Sequence, residues 1–368
     1  MQSNKIAANS ATETLITMKP GILLVGNFLA GKGGSKQPCE EIALRLAARG
    51  WNVATTSGVR NRFGRMLDML RTAWVRRRHY QIAVIDVFSG LSFAWTLCTA
   101  ILVKALGKKM ALVLHGGGLP GFASRHPRLV RHLLSKADRV LAPSEYLRAG
   151  LLPYRSGIGI LPNGIELSHC TMRPQTHPAP RLVWLRTFCS IYNPGLAVEV
   201  AAALRGNFPG IQLTMVGPDK DGSLKGVREL AERRGLSACV HFPGGVPKEE
   251  VPRMLASGDI FINTTTVDNA PVSVIEAMAC GLPIVSTNVG GIPFLLKDGE
   301  DALLVPSGDV AAMAAAVRRL LTEPETAGRL SRNGRAKAER FDWKVVLPQW
   351  ESLFAGLSPA GGDAQADR

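Results

Sequence analysis

The sequence predicts an α/β protein of two doubly wound parallel-sheet domains, and three observations predict it. Short, wholly apolar runs such as Ile22-Leu23-Leu24-Val25, Ile82-Ala83-Val84-Ile85 and Ile260-Phe261-Ile262 alternate with longer stretches of helical spacing. Strands buried on both faces read in this unbroken way, whereas half-exposed strands alternate. The chain has 368 residues, 46% hydrophobic and 20% charged, which suffices for two domains with separate cores and excludes a disordered chain. Periodicity also stops between Glu166 and Arg181, in a stretch rich in Pro, His and Thr, and new apolar runs begin at Leu182.

In chain order, residues 1–19 are polar and lack the apolar core of a signal peptide, so they are expected to form a disordered tail. The first domain is expected over 20–168. It opens with the strand Ile22 to Val25, a loop from Gly26 to Ser35 that holds Gly33 and Gly34, and a helix over Glu40 to Arg49. A basic helix is expected over Asn61 to His79, with Met66, Leu67, Leu70, Ala73 and Trp74 as its apolar stripe. The run Leu91 to Val103 is too short to span a bilayer and reads as a buried helix. The strand Met110 to Leu114 ends in His115-Gly116-Gly117-Gly118, which places a histidine at the mouth of a parallel sheet.

A linker is expected over 169–181 and a second domain over 182–341. After these come a helix over 342–357 and a disordered tail over 358–368. The six cysteines are scattered without a C-x-x-C pair, so neither a zinc site nor a disulfide framework is indicated and a reducing cytoplasm fits.

Charge is unevenly placed. Residues 1–170 hold 23 Lys/Arg against 8 Asp/Glu, an excess equal to the whole net charge of +15. The rest of the chain holds 21 of each. A helix with a cationic face and an aromatic at its border suits an anionic membrane surface, against the plainer reading of a solvated face.

The stretch Asp268 to Ser286 (DNAPVSVIEAMACGLPIVS) carries the most chemistry. Pro271 suits a first helical position, Gly281 a left-handed position past the helix end, and Pro283 blocks continuation. Glu276 lies among apolar neighbours, where a buried carboxylate needs a partner. Asp268 precedes it by eight positions, in a loop at the carboxyl end of a strand. The free N–H groups around Val272 and Ser273 favour an anion such as a diphosphate, and a carboxylate nearby accepts hydrogen bonds from sugar hydroxyls.

This string resembles the Glu-x7-Glu signature of the retaining group-1 (family 4) glycosyltransferases, whose pattern runs E-G-F-P-x-x-x-x-E-A-M-A-x-G-x-P-V and whose two Rossmann-like domains form the GT-B architecture. Asp268 replaces the first Glu; Pro271, Glu276, Ala277, Met278, Ala279, Gly281 and Pro283 match. The resemblance implies that Glu276 binds the nucleotide ribose and that Asp268 sits by the transferred sugar. It implies further that His115 contacts that sugar, and that Gly33 and Gly34 let the backbone approach the donor. Arg186, just after a strand, matches the family's diphosphate-binding Arg. The Lys expected five residues later is replaced by Ile191, and Lys220, in the loop Gly217 to Gly222, is the candidate substitute. Asp219-Lys220-Asp221 is formally a D-x-D metal signature, but the loop reads better as phosphate-facing, so no metal or other cofactor is expected.

The expected activity is therefore hexosyl transfer from a nucleotide-diphosphate sugar, with retention of configuration, to a glycan or lipid-linked glycan acceptor in cell-surface polysaccharide synthesis. The basic first domain would place the enzyme in the cytoplasm, peripherally at the inner face of the membrane. Two rivals remain: a sugar-nucleotide epimerase of the same architecture, and a basic nucleic-acid-binding protein, for which no recognition motif is present.

Overall fold

A computed structural model of the protein describes residues 19–29 and 37–358. It contains two six-stranded sheets, every paired strand parallel. The first comprises β1 (Ile22–Val25), β2 (Val53–Thr56), β3 (Ile82–Val87), β4 (Lys109–Leu114), β5 (Arg139–Ala142) and β6 (Ile158–Ile160), in the order β2-β1-β3-β4-β5-β6. The second comprises β7 (Arg181–Leu185), β8 (Gln212–Val216), β9 (Val240–Gly244), β10 (Ile260–Asn263), β11 (Ile284–Thr287) and β12 (Ala302–Val305), in the order β12-β11-β10-β7-β8-β9. Both orders reverse beside the first strand of the sheet, at β1/β3 and at β7/β10. Such switch points leave a crevice beyond the carboxyl ends of the strands, where open α/β sheets bind ligands.

Side chains alternate across each sheet. Leu23 and Val25 join a core with Phe93 and Ala100 of the helix Leu91–Ala105. Ile22 and Leu24 face the other way, onto Ile42 and Leu46 of the helix Pro38–Ala48 and onto Trp343, Val346 and Trp350 of the terminal helix Trp343–Leu357. That last helix follows the second domain in sequence but packs on the first. A Cβ at Gly164 would sit 2.5 Å from the Trp343 ring, so the Asn163-Gly164 turn must stay bare for the return. Trp51 Nε1 donates to Glu351 Oε1 at 3.1 Å and ties the terminal helix to the first sheet.

Three local readings need correction. The basic helix runs Arg62–Val75 and turns Met69 and Ala73 inward, while Leu67 and Trp74, expected in the apolar stripe, are 62% and 52% exposed. The helix Leu91–Ala105 is buried on one side only, with Leu91 and Ile101 outside. Pro271 is the residue before the helix Val272–Ala279, not its first residue, and its ψ of 111° keeps it extended. Gly281 is left-handed as expected, with φ 79°. Gly33 and Gly34 lie outside the described residues.

Among the described residues no helix is long and apolar enough to cross a membrane. Between the short turn Leu167–His169 and β7 the chain has neither helix nor strand.

Candidate functional site

The two switch points face one another across a cleft of about 1010 Å³. This lies at the upper end of the roughly 300–1,000 Å³ range of ligand pockets and suits a ligand of nucleotide-sugar size. His115, Asp268, Arg186, Val272, Ser273 and Glu276 all line it.

On the second-domain wall, Arg186 follows β7 and its backbone N–H bonds Val216 O at 3.0 Å. Its side chain is buried in an ion pair with Asp268, which follows β10, and its guanidinium lies 4.5 Å from the Tyr192 ring centre. Burial pulls the guanidinium down to about 10, with Tyr192 opposing, so it stays charged at neutral pH. Arg186 Nε has no protein partner among the described residues. The Asp268 loop is held by Gly290-Gly291: Gly291 N–H bonds Asp268 O at 3.0 Å, and a Cβ on Gly291 would collide with Asn269 O. Only glycine permits that approach.

The helix Val272–Ala279 points its amino end into the same cleft. Ser273 Oγ there is buried without a protein partner among the described residues. Glu276, one turn in, is 7% exposed and pairs with Lys248, which the loop after β9 delivers. Burial raises the Glu276 carboxyl above its ordinary range, and Lys248 works against that rise. The expectation that a buried Glu276 needs a partner is thus met, by a residue the sequence did not single out.

On the first-domain wall, His115 follows β4, with its N–H on Val87 O at 2.8 Å. Its Nε2 lies 3.0 Å from Asp86 Oδ1, and its ring stacks on Phe88 at 5.0 Å. A carboxylate only accepts, so the hydrogen bond to Asp86 uses a proton on Nε2, and in that neutral tautomer Nδ1 is the acceptor. Cys39 stands beside Asp86, and burial with that negative charge pushes its thiol well up. It therefore stays protonated and is no nucleophile.

The two walls touch. A Cβ at Gly117 would lie 3.1 Å from Asp268 O, and Tyr146 OH donates to Gly117 O at 3.0 Å. Ser144, which caps the helix Glu145–Leu151, also bonds Asn269 of the other domain. Phe294, at a position where an acid is common in the resembling family, packs its ring 5.9 Å from that of Tyr146.

Lys220 fares differently from the other expected residues. Its backbone N–H closes the loop on Phe188 O at 3.0 Å, but the residue is exposed and is not among those lining the cleft. Asp221 Oδ2 accepts Ser190 N–H at 2.8 Å and Asp219 Oδ1 accepts Gly222 N–H at 3.0 Å, so the formal D-x-D holds its own loop. Backbone N–H donation, foremost from Ser190, holds the Asp221 carboxyl well below its usual range. Sequence reasoning missed Lys248, Tyr192 and Asp86. Asp86 alone carried a signal, as an acid inside the apolar strand IAVIDV.

Comparison with known proteins bears on the same features. The family model "Glycosyltransferase Family 4" matches residues 38–169, and "Glycosyl transferases group 1" matches residues 185–337. A D-inositol 3-phosphate glycosyltransferase of Corynebacterium jeikeium is 29% identical over 174 residues, 46% of this chain and 42% of its own. The phosphatidyl-myo-inositol mannosyltransferase of Mycobacterium leprae is 28% identical over 211 residues, 56% of this chain and 55% of its own. The match thus spans under two thirds of these curated relatives. Among solved structures, sucrose-phosphate synthase from Thermosynechococcus elongatus superposes with a TM-score of 0.75 at 20% identity, covering 92% of this chain and 99% of that one. Anabaena HepE in complex with UDP-glucose gives 0.72 at 16% identity, covering 91% and 100%. Likeness at such identity shows the fold, and the fold is GT-B. The two family matches, one in each domain, carry the rest: the chain belongs to the group-1 (family 4) glycosyltransferases.

Proposed function

We propose that the protein transfers a hexosyl group from a nucleotide-diphosphate sugar, with retention of configuration, to a glycan or lipid-linked glycan acceptor at a membrane surface. The observation that carries this reading is the placement of Arg186, Asp268, Lys248 and Glu276 on one cleft wall, opposite His115. Glu276 receives the ribose hydroxyls, giving up part of its contact with Lys248. The Val272 and Ser273 N–H groups and the Arg186 guanidinium take the diphosphate, and Lys248, not Lys220, supplies the second cation. A leaving diphosphate gains negative charge as the glycosidic bond breaks. Fixed positive groups in a partly dry cleft stabilise that charge without reorganising, so this reaction scheme uses no metal.

Asp268 and the Nδ1 acceptor of His115 flank the position of the transferred sugar and hold its hydroxyls. The acceptor hydroxyl attacks on the face the diphosphate leaves, and the departing phosphate oxygen takes its proton. No carboxylate is assigned as a covalent nucleophile, because Asp268 is engaged with Arg186 and Glu276 with Lys248.

Thermal stabilisation by a panel of UDP-, GDP- and ADP-sugars tests the donor site. A shift with one base that disappears in Glu276→Ala is expected. No shift with any member in the wild-type protein would refute the reading.

The membrane part rests on the outer face of the helix Arg62–Val75, where Phe63, Leu67, Trp74 and Val75 are exposed beside Arg71, Arg76 and Arg78. Exposed aromatic and aliphatic groups bordered by arginines fit the headgroup region of an anionic leaflet, and this would place the protein peripherally at the inner, cytoplasmic face. Sedimentation with phosphatidylglycerol vesicles at low salt should be lost in Phe63→Ser/Trp74→Ser. Equal sedimentation with neutral vesicles would remove the electrostatic half of the idea.

A further inference from the structure

Beside the cleft lies a second cavity of about 290 Å³, set between the first sheet, the helix Pro38–Ala48 and the terminal helix. Its inner walls are Leu24, Val84 and Val113 from the sheet, Ile42 from the first helix, and the Trp343 and Trp350 indoles. Asp86, His115, Asn163, Lys248, Glu249 and Val272 are among the residues that line both this cavity and the cleft, so the two spaces meet along a seam that includes the His115–Asp86 pair. At the rim, Arg45 donates to Glu41 at 2.7 Å and to Glu166 at 2.8 Å, and its guanidinium lies 4.9 Å from the Trp343 ring.

We propose that this cavity receives the apolar body of the acceptor, whose hydroxyl then stands at the His115–Asp86 junction facing the donor. The inference rests on the transferase reading and selects its lipid-linked acceptor over a free glycan: an amphiphile whose hydroxyl-bearing head adjoins an aliphatic or aromatic body. Three features select that class. A glycan body needs hydrogen-bond partners on all sides, and Leu24, Val84, Val113 and Ile42 offer none. Water needs two to four polar partners in such a space, and the inner walls lack them, whereas apolar cavities of roughly 150 Å³ take up benzene. This cavity is nearly twice that size, and its polar lining is divided between the rim, with Glu41, Arg45, Glu166 and His169, and the junction with the cleft, with Asp86, His115 and Lys248, where a hydroxyl would sit.

The arrangement also assigns a task to the returning terminal helix. Trp343 and Trp350 come from the far end of the chain, and the Gly164 turn lets Trp343 close against the first domain. The acceptor pocket is complete only when the second domain has been threaded and the chain has come back.

The test is titration of the full-length protein with straight-chain alkanols from butanol to decanol, read by calorimetry. Affinity is expected to tighten about fourfold per methylene, from about 0.8 kcal/mol per buried CH₂, and to level off near ten carbons, if each group displaces about one water's share of roughly 30 Å³. Ile42→Phe and Leu161→Phe, which fill the space from two sides, should each flatten the series. Stabilisation by the preferred nucleotide sugar should persist in both, which shows that they fold. Leu152→Ser, at an exposed leucine that lines neither cavity nor cleft, should leave the series unchanged. A flat series in the wild-type protein, or a length dependence that survives both filling variants, would overturn the proposal. If alkanols bind as expected but no nucleotide sugar stabilises the wild-type protein, the transferase reading falls and the cavity stands as an apolar binding site.

Discussion

The two domains are the same architecture used with opposite allocations of charge. The second domain carries no net charge, yet it brings two of its cations to the cleft and matches each with an acid, Arg186 with Asp268 and Lys248 with Glu276. The first domain carries the whole excess of positive charge, but its cleft wall holds the acid–histidine pair Asp86–His115, and much of the excess lies on exposed helix surfaces such as Arg71, Arg76 and Arg78. Charge inside a cleft is expensive and must be paired until a ligand arrives. Charge on an outer face is solvated, can stay unpaired, and acts at a distance. The same residue types thus serve donor binding in one domain and, on our reading, attraction to an anionic surface in the other.

Removing one partner from a cleft pair tests this contrast most severely. Asp268→Ala leaves the Arg186 guanidinium buried and uncompensated, and should cost about 3–5 kcal/mol of stability in denaturant unfolding. The charge-neutralising Arg76→Ala on the outer helix should cost under about 0.5 kcal/mol. Equal losses would erase the distinction.

His115→Ala should lower the transferase rate by about 100-fold, in the range for a lost polar contact to the reacting centre. The nucleotide-sugar thermal shift should shrink but survive, since the groups assigned to the ribose and the diphosphate lie on the other wall. A shift lost together with the rate would mean that His115 shapes the donor site itself.

Lys248→Met should weaken nucleotide-sugar binding about tenfold, the loss of roughly 1.4 kcal/mol expected of one charge-assisted contact. Lys220→Met should change it less than twofold. The reverse order would restore the loop after β8 as the phosphate site.

The smallest effect concerns acid–base linkage at Glu276. Burial raises this carboxyl in the folded protein, so the folded state binds its proton more tightly than the unfolded chain does. Its contribution is therefore fully favourable below the ordinary glutamate range and is lost as pH rises through the raised value. Glu276→Gln removes that loss and should raise the melting temperature of the ligand-free protein by about 2 °C at pH 7, with little gain at pH 4. The same variant should lose the nucleotide-sugar shift. A gain of equal size at pH 4 would show that the stabilisation is unrelated to ionisation.

Much of the fold was legible because it is written in local patterns. Four-residue apolar runs mark strands buried on both faces, and Gly281 and Pro283 end the helix Val272–Ala279 by their own backbone chemistry. Half of the site was legible for the same reason, since Asp268, Val272, Ser273 and Glu276 lie within nine consecutive residues. Patterning was less reliable where a helix meets both core and outside. Leu67, Ala73 and Trp74 fit one stripe, but of these only Ala73 turned inward, joined by Met69 from outside the expected stripe. Helical spacing fixes which residues share a face and leaves open which face turns inward.

By itself, then, the sequence determined the α/β class, the division into two domains, the charge asymmetry, and which short stretch bears a buried acid beside a helix start. These are properties of neighbours along the chain. Only the tertiary structure decided that Lys248 meets Glu276 and lines the cleft while Lys220 does not line it, that Asp86 orients His115, that Arg186 is paired with Asp268, and that Trp343 and Trp350 wall a cavity in the other domain. Each of these joins residues 28 to more than 300 positions apart, through sheet order and the returning helix. Such contacts are set by where strands end in space, and spacing along the chain does not encode that.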